Sequence, residues 1–207
     1  RTPLAITRAV LDVAEADPDP DVPQLLGRLR AANERAIALT EALLLLARLD
    51  ARPPARVPVD LSLAAEGAVE LLHEVAASRE VRLDATGDPV IVRGDAALLD
   101  QLALNLVQNA LVHNLPSGGS ATVRTLRLGG QGALVVENTG DRLDPAVVAT
   151  LVEPFQRGAG RARDGAHGGS GLGLAIAGSI VEVLGGSLAL TARPDGGLRV
   201  DATFPLA

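Results

Sequence analysis

Two asparagines, Asn105 and Asn109, are separated by one turn of a helix. At this spacing both amides are expected on the same helical face. Amide oxygens are suited to a hard cation such as Mg²⁺, which keeps several waters and also takes phosphate oxygens as ligands. Two asparagines on a helix are also consistent with surface or capping positions, so the pair indicates a cation site only together with other residues.

A second polar group follows an apolar strand at Glu137, Asn138, Thr139 and Gly140. A polar side chain at the end of a strand is placed to meet the edge of a nucleotide base, and glycine lets the backbone approach a ligand. The alternative interpretation is an ordinary strand-to-loop turn, for which Asn-Thr-Gly is a suitable sequence.

Residues 168–174 (Gly-Gly-Ser-Gly-Leu-Gly-Leu) form a glycine-rich segment at the start of a predicted helix. The first N–H groups of a helix have no partner within the helix, and they bind phosphate. The third glycine comes one residue too early for a dinucleotide-binding fingerprint, and no strand directly precedes the segment. A flexible loop without a ligand is the alternative.

Phe155 is one of two aromatic residues in the chain and lies in residues 153–158 (Glu-Pro-Phe-Gln-Arg-Gly). Arg157 is suited to bidentate binding of a phosphate, with Arg161 and Arg163 as nearby alternatives. The other interpretation is an anchoring phenylalanine beside solvated arginines.

Composition excludes several other classes of site. Cysteine is absent, which excludes thiol nucleophiles, disulfides and cysteine-bound zinc. All 19 basic residues are arginine, so the lysines of P-loop enzymes, Schiff-base enzymes and eukaryotic-type protein kinases are excluded as well. A net charge of −6 and an aromatic content of 1% argue against nucleic-acid binding. The longest apolar run, residues 42–47, is far shorter than the roughly 20 residues that cross a bilayer.

Residues 1–50 are predicted to form a helical hairpin. Residues 17–21 (Asp-Pro-Asp-Pro-Asp) mark its tip, because proline disfavours helix interiors. The second helix repeats apolar residues in alternating steps of three and four. The repeat consists of Leu25, Leu29, Ala32, Ala36, Leu39, Leu43 and Leu46. Two helices cannot cover so wide a stripe, so a four-helix bundle from two chains is predicted, with packing on the hairpin's own domain as the alternative.

Residues 51–57 are interpreted as a linker, since residues 52–54 (Arg-Pro-Pro) end the helix. Residues 58–207 mix helix and strand patterns and predict an α+β layer fold, with helices against a largely antiparallel sheet. The predicted helices span 61–78, 95–113, 144–151 and 171–184. The predicted strands span 56–59, 80–85, 89–92, 120–128, 132–138, 186–192 and 197–204, and a loop covers 153–170.

Taken in chain order, four segments resemble the N, G1, F and G2 boxes of bacterial sensor histidine kinases. They are residues 105–110 (Asn-Leu-Val-Gln-Asn-Ala), 138–140 (Asn-Thr-Gly), 153–157 (Glu-Pro-Phe-Gln-Arg) and 169–174 (Gly-Ser-Gly-Leu-Gly-Leu). The ATP-binding domain of these kinases is an α/β sandwich of the Bergerat type, in a superfamily that includes gyrase, Hsp90 and the MutL proteins. Residues 1–4 (Arg-Thr-Pro-Leu) are similar to the end of the H box of these kinases, His-Glu-x-Arg-Thr-Pro-Leu. The resemblance covers essentially the whole chain.

The resemblance implies that ATP and Mg²⁺ bind to residues 58–207. Asn109 would ligate Mg²⁺, Asn105 would assist at the phosphates, and Arg157 would balance charge on the γ-phosphate. Hydrolytic relatives carry glutamate where Asn105 stands, and an amide cannot act as a general base, so phosphotransfer is favoured. The implied nucleotide-binding residues are Asn105, Asn109, His113, Asn138, Gly140, Phe155, Arg157, Gly169, Gly171, Leu172, Gly173 and Leu174.

Several positions depart from the family pattern. Asn138 stands where the family has an aspartate that contacts the adenine amino group, and a neutral acceptor is weaker than a charged one. Glu137 is expected on the other face of the strand and does not replace it. Arg142 stands in place of a second glycine. The resemblance implies that the loop between Phe155 and Gly169 is a lid over ATP. Val112 stands in place of a basic residue, so one phosphate contact passes to His113 or to an arginine of this lid.

The function implied is an ATP-dependent protein-histidine kinase that forms a homodimer through residues 1–50. It would pass the γ-phosphoryl group to a histidine just upstream of Arg1, and from there to an aspartate of a response regulator protein. Thr2 falls one helical turn after that histidine. The family often uses this position to place water for dephosphorylation of the regulator, so phosphatase activity is expected as well.

Two other functions are consistent with the sequence. One is a nucleotide-sensing scaffold that signals by conformation, and the other is a serine kinase of the anti-sigma type, against which the start of the hairpin argues. Because the chain has no methionine and no recognisable signal peptide, it is interpreted as part of a longer protein. The resemblance implies that the full-length protein is anchored in the bacterial cell membrane and that this part lies in the cytoplasm. No contact with nucleic acid or membrane is expected for this part itself.

Overall fold

The structure is a computed structural model, and it describes residues 2–16, 21–29, 32–33, 36, 40, 54–148, 151 and 173–207. The helices are α1 (Thr2–Ala16), α2 (Leu61–Ser78), α3 (Ala96–Val112), α4 (Pro145–Val148) and α5 (Gly173–Val183). The strands are β1 (Val57–Asp60), β2 (Val81–Gly87), β3 (Ile91–Gly94), β4 (Gly119–Leu128), β5 (Gln131–Asn138), β6 (Ser187–Ala192) and β7 (Leu198–Pro205).

The N-terminal region is helical where it is described. Helix α1 and the helical residues 22–29 precede and follow the predicted hairpin tip in the sequence. Residues 17–20 of that tip lie outside the described residues, and so does the predicted loop 153–170. Large apolar side chains are exposed on both segments: Leu11 (42%), Val13 (65%), Val22 (51%) and Leu26 (47%).

Five strands form a mixed sheet in the order β2-β4-β5-β7-β6. Strand β2 pairs parallel to β4, whereas the other neighbours pair antiparallel. The parallel pair is possible because β3 and α3 lie between β2 and β4, and parallel strands need a crossover of at least about a dozen residues. The predicted α+β fold is confirmed, with one parallel pair in a sheet that was expected to be largely antiparallel. Strands β1 and β3 form a separate antiparallel pair.

Helices α2, α3 and α5 pack against the sheet and enclose the hydrophobic core with it. The largest fully buried side chains include Phe204, Leu61, Leu99, Leu102, Leu106, Leu134, Ile180 and Leu184. Strand β5 is buried without interruption over residues 132–136, because neighbouring strands flank it on both sides and side chains cover both of its faces. Asn138 is the last residue of this buried strand.

A two-residue turn joins β4 to β5. Gly129 and Gly130 have φ angles of +56° and +79°, which suits the type I′ turn of a tight hairpin and is unfavourable for residues with a side chain. The turn pairs Leu128 with Gln131 and so sets the register that brings Ala121 opposite Asn138. This register fixes which residue of β4 lies opposite the end of β5.

Helices α2 and α3 begin at aspartate caps. Asp60 Oδ1 accepts hydrogen bonds from the backbone N–H of Ser62 (3.0 Å), the hydroxyl of Ser62 (2.8 Å) and the backbone N–H of Val90 (3.3 Å). Asp95 caps α3 in the same way with its side-chain oxygen. Asp60 therefore ties the start of α2 to the segment between β2 and β3.

We predict that Asp60→Ala lowers the free energy of unfolding by about 1–2 kcal/mol, because the helix cap and the bond to Val90 are lost together. Urea unfolding followed by circular dichroism measures the change. Asp84→Ala is the matched control, since Asp84 is exposed and its ion pair with Arg82 spans 3.6 Å. That variant is expected to cost less than about 0.5 kcal/mol, and equal losses in the two variants would contradict the role of the cap.

Candidate functional site

Asn105 is a buried amide on α3 whose N–H₂ group is unpaired among the described residues. Its exposed fraction is 5%. Its Oδ1 accepts a hydrogen bond from Gln101 Nε2 at 3.4 Å. Within the described part of the chain, its Nδ2 is the one buried side-chain nitrogen or oxygen that has no hydrogen-bond partner. Buried polar groups are nearly always paired, so an unpaired amide N–H₂ at this position indicates a donor that is kept for a ligand.

Asn109 follows one turn later on α3 and is half-buried. The two amides project from the same side of the helix, as their spacing predicts. The backbone carbonyl of Asn109 accepts the N–H of His113 at 3.0 Å, which closes the last turn of the helix. This face of α3 therefore offers a donor at Asn105 and a second amide at Asn109.

The end of α3 meets the end of β5 at His113 and Asn138. His113 follows the last residue of α3, and its backbone carbonyl accepts a hydrogen bond from Asn138 Nδ2 at 3.0 Å. The same nitrogen donates to the Thr139 carbonyl at 2.8 Å. Asn138 is 3% exposed. Two of the predicted site residues are thus joined directly, through the side chain of one and the backbone of the other.

A second connection between α3 and β5 runs through Asn114 and Thr139. Asn114 Nδ2 donates to the carbonyls of Ala110 and Ser120, both at 3.0 Å. Asn114 Oδ1 accepts from the Thr139 hydroxyl at 2.6 Å and from the Leu115 N–H at 2.9 Å. The Thr139 hydroxyl also accepts from the Ser120 N–H at 2.8 Å. All four bonding positions of the Asn114 amide are therefore used.

Glycines permit close contact around the end of β5. A Cβ on Gly140 would lie 2.7 Å from the carbonyl oxygen of His113. A Cβ on Gly197 would lie 1.9 Å from the carbonyl oxygen of Asn138, and Gly197 has a φ of +88°. Arg193 Nη1 donates to that same Asn138 carbonyl at 2.9 Å. The backbone at 138–140 is therefore held by the β6–β7 loop as well as by α3.

Helix α5 starts beside Asn105. A Cβ on Gly173, its first residue, would lie 3.8 Å from the backbone oxygen of Asn105. Leu174 is buried in the hydrophobic core and anchors the first turn of α5. The first described turn of α5 thus lies beside the backbone of α3 at Asn105. The remaining predicted binding residues lie outside the described residues: Phe155, Arg157, Gly169, Gly171 and Leu172.

Glu137 forms ion pairs on the opposite side of β5 from Asn138. Its carboxylate pairs with Arg124 at 3.1 Å and with Arg199 at 3.0 Å. Hydrogen bonding to Asp201, together with the charges of Asp201 and Glu137, raises the pKa of Arg199 above its ordinary value, so the guanidinium stays charged. This agrees with the prediction that Glu137 does not replace Asn138.

Sequence reasoning missed the supporting residues Asn114 and Arg193. Asn114 comes directly after a predicted helix, and a polar residue that follows the end of a helix is a recognisable capping signal. Arg193 has no comparable signal, because its contact with Asn138 joins residues that are 55 positions apart.

Two features are absent from the part of the chain that the structure describes. No group of three or more His, Cys, Asp or Glu side chains is placed there to hold a metal ion. None of the described helices is long and apolar enough to span a bilayer.

Comparison with known proteins gives a consistent set of relatives. The family of "Histidine kinase-, DNA gyrase B-, and HSP90-like ATPase" matches residues 94–207. The sensor protein CutS of Streptomyces coelicolor is 43% identical over 208 residues, which cover 100% of this chain and 50% of that protein. The probable sensor histidine kinase TcrY of Mycobacterium tuberculosis is 36% identical over 197 residues, which cover 94% of this chain and 41% of that protein.

Among solved structures, the mycobacterial sensor histidine kinase MprB is similar with a TM-score of 0.61 and 27% identity, covering 73% of this chain and 98% of the solved one. The chain spans about half the length of the curated relatives it matches.

We predict that Asn105→Leu leaves the free energy of unfolding within about 0.5 kcal/mol of wild type or raises it, because leucine has the same number of side-chain heavy atoms and removes an unpaired buried amide. Asn114→Leu, the same exchange at an amide whose bonds are all used, is expected to cost at least about 2 kcal/mol. Chemical unfolding of both variants without ligand measures the difference. A large loss in Asn105→Leu would show that the amide serves folding rather than a ligand.

Proposed function

This chain belongs to the family of histidine kinase-, DNA gyrase B- and HSP90-like ATPases, and on that basis we propose that it is the kinase core of a two-component sensor histidine kinase. The core transfers the γ-phosphoryl group of ATP to a histidine just upstream of Arg1, and a response regulator protein then takes it on an aspartate. The observation that carries the proposal is the buried Asn105 amide, whose Nδ2 has no partner in the described part of the chain.

The residues of α3 fit a nucleotide bound with Mg²⁺. When bound, ATP supplies the phosphoryl group and Mg²⁺ neutralises charge on the phosphates. The N–H₂ group of Asn105 would donate to a phosphate oxygen, and the amide oxygen of Asn109 would hold the cation. Asn105 cannot remove a proton from water at neutral pH, so the site transfers the phosphoryl group to protein rather than hydrolysing ATP.

The phosphates bind at the start of α5. Gly173 begins this helix beside Asn105, and the first N–H groups of a helix attract anions. Gly169, Gly171 and Leu172 supply further backbone N–H groups before the helix. Arg157 balances the charge that develops on the γ-phosphate, and Phe155 begins the segment that covers the nucleotide.

The hairpin carries the dimer interface. Residues 1–50 form a four-helix bundle with a second copy, residues 51–57 link it to the catalytic domain, and residues 58–207 bind ATP. The exposed apolar residues of α1 and of residues 22–29 support this assignment, since a partner helix would bury them. The full-length protein is anchored in the cell membrane, with this part in the cytoplasm.

We predict saturable binding of a non-hydrolysable ATP analogue that depends on Mg²⁺ and is lost or weakened at least about tenfold in Asn109→Ala. Isothermal titration calorimetry of the chain as it stands measures both. Gln108→Ala is the matched control, because Gln108 is an exposed amide next to Asn109 on the same helix. Wild-type protein that binds no nucleotide at millimolar concentration would contradict the proposal and favour a non-catalytic scaffold.

We also predict that Thr2 contributes to dephosphorylation of the response regulator. In a longer chain that includes the upstream histidine, Thr2→Ala is expected to slow this reaction at least about tenfold, because the hydroxyl that places the attacking water is removed. Thr2→Ser keeps the hydroxyl and should retain most of the rate. Loss of ³²P from a regulator that this kinase has phosphorylated measures the rates, and equal rates in wild type and Thr2→Ala would refute the role.

A further inference from the structure

The pairing of β5 with β7 stops just before the end of β5. Glu137 and Arg199 are the last pair of this ladder. The next carbonyl of β5, that of Asn138, accepts a hydrogen bond from Arg193 Nη1 at 2.9 Å. Arg193 follows β6 directly and begins the loop that leads to β7. A side chain thus takes over from the strand ladder at the point where β5 reaches the candidate site.

The loop that carries Arg193 is a closed turn. The N–H of Arg193 donates to the Gly197 carbonyl at 3.1 Å, and the N–H of Gly196 donates to the Arg193 carbonyl at 3.0 Å. Gly196 and Gly197 have φ angles of +98° and +88°, a region that residues with a side chain rarely adopt. These bonds use backbone atoms alone. The turn is therefore formed without the Arg193 guanidinium, which is left to bond Asn138.

The same loop contacts the segment that follows β5. The N–H of Gly197 donates to the Asp141 carbonyl at 2.9 Å. A Cβ on Gly196 would collide with the Gly140 carbonyl oxygen, so no side chain fits between the two backbones. The segment 138–141 is thus held at its far end by the backbone of the loop and at its near end by the guanidinium.

We propose that Arg193 is a positioning residue for the nucleotide. Its guanidinium acts through the Asn138 carbonyl and keeps residues 138–141 in one arrangement before the ligand binds. This inference rests on the proposed function, because it takes Asn138 and Gly140 as part of the nucleotide site. Arg193 lies outside the four segments that resemble the N, G1, F and G2 boxes, and a separate hairpin supplies it.

Asn138 is held from two sides, and Arg193 supplies one of them. The side chain of Asn138 bonds the carbonyls of His113 and Thr139, whereas its backbone carbonyl accepts from the loop. Asn138 is 3% exposed, so water has little access to replace the guanidinium. A charged donor also makes a stronger hydrogen bond than a neutral one. Its removal would leave a buried carbonyl without this partner and release one side of the segment.

The expected result of removing the guanidinium is a loss of affinity rather than a loss of fold. In Arg193→Ala the backbone turn and the pairing of β6 with β7 remain, so the hairpin stays formed. The segment 138–141 gains freedom, and a ligand that binds there must then order it, which weakens binding. Arg193→Lys keeps a charged donor on a long side chain. It should restore most of the affinity, because a single N–H of the guanidinium bonds Asn138.

Isothermal titration calorimetry with the β,γ-imido analogue of ATP in Mg²⁺ tests this inference on the chain as it stands. Arg193→Ala is expected to weaken the affinity at least about fivefold, and Arg193→Lys to stay within about twofold of wild type. Arg127→Ala is the matched control, since it removes the same charge at an exposed position of β4. Its affinity is expected within about twofold of wild type, because solvent screens an exposed charge.

Two measurements without ligand separate positioning from stability. Arg193→Ala is expected to keep its Tm within about 4 °C of wild type in thermal unfolding. Amide hydrogen exchange is expected to rise at least about tenfold at the N–H of Gly197, which bonds Asp141. At Leu134, in the buried centre of β5, exchange should stay at the wild-type rate.

The outcomes distinguish this inference from the proposed function. Wild-type affinity or wild-type exchange at Gly197 in Arg193→Ala refutes the inference and leaves the proposed function standing. Arg193→Lys that binds as weakly as Arg193→Ala refutes it as well, because the hydrogen bond would not be the cause. A larger loss of Tm in Arg193→Ala would identify a residue that serves the fold alone. Wild type that binds no nucleotide contradicts the proposed function, and this inference falls with it.

Discussion

The contact between the end of α3 and the end of β5 is the constraint on which the site depends. Helix α3 carries Asn105 and Asn109, and β5 carries Asn138. Their relative position is set by hydrogen bonds to the His113 carbonyl and through Asn114, not by apolar packing alone. Hydrogen bonds of this kind are directional, so they fix an angle and a distance that a hydrophobic contact leaves adjustable. A ligand that touches both elements therefore meets groups that are already positioned.

Local signals in the sequence were sufficient for most of the elements. The bounds of α2 are the predicted 61–78, because Asp60 caps a segment with helical apolar spacing. The two strands of the β4–β5 hairpin each begin one residue before the predicted 120–128 and 132–138 and end where predicted. The parallel pairing of β2 with β4 was not predicted, since the register of strands distant in sequence depends on how α3 packs between them. The contact of Arg193 with Asn138 was missed for the same reason, because nothing local specifies a partner so far along the chain.

The sequence predicted which residues form the candidate site, and the structure adds the hydrogen bonds that their side chains make. Spacing alone placed Asn105 and Asn109 on one face. Only the packing around α3 shows that Asn105 Nδ2 is buried without a partner in the described residues, whereas the chemically identical amide of Asn114 has every position bonded. An unpaired buried amide lowers stability, and the phosphate contact that we propose for Asn105 accounts for its presence in an otherwise well-paired helix.

The segment that leads into residues 58–207 is attached to both helices that border the site. The N–H of Ala55 donates to Asp95 Oδ2, at the cap of α3, at 3.1 Å. Arg56 Nη2 donates to the Val183 carbonyl, at the end of α5, at 3.3 Å, where a cation is favourable because the last carbonyls of a helix carry partial negative charge. The opposite terminus of α5 is the one that lies beside Asn105 of α3. Each helix is therefore held at its end away from the site as well as near the site. The two asparagines of α3 and the first N–H groups of α5 are therefore presented by helices whose positions are fixed at both ends.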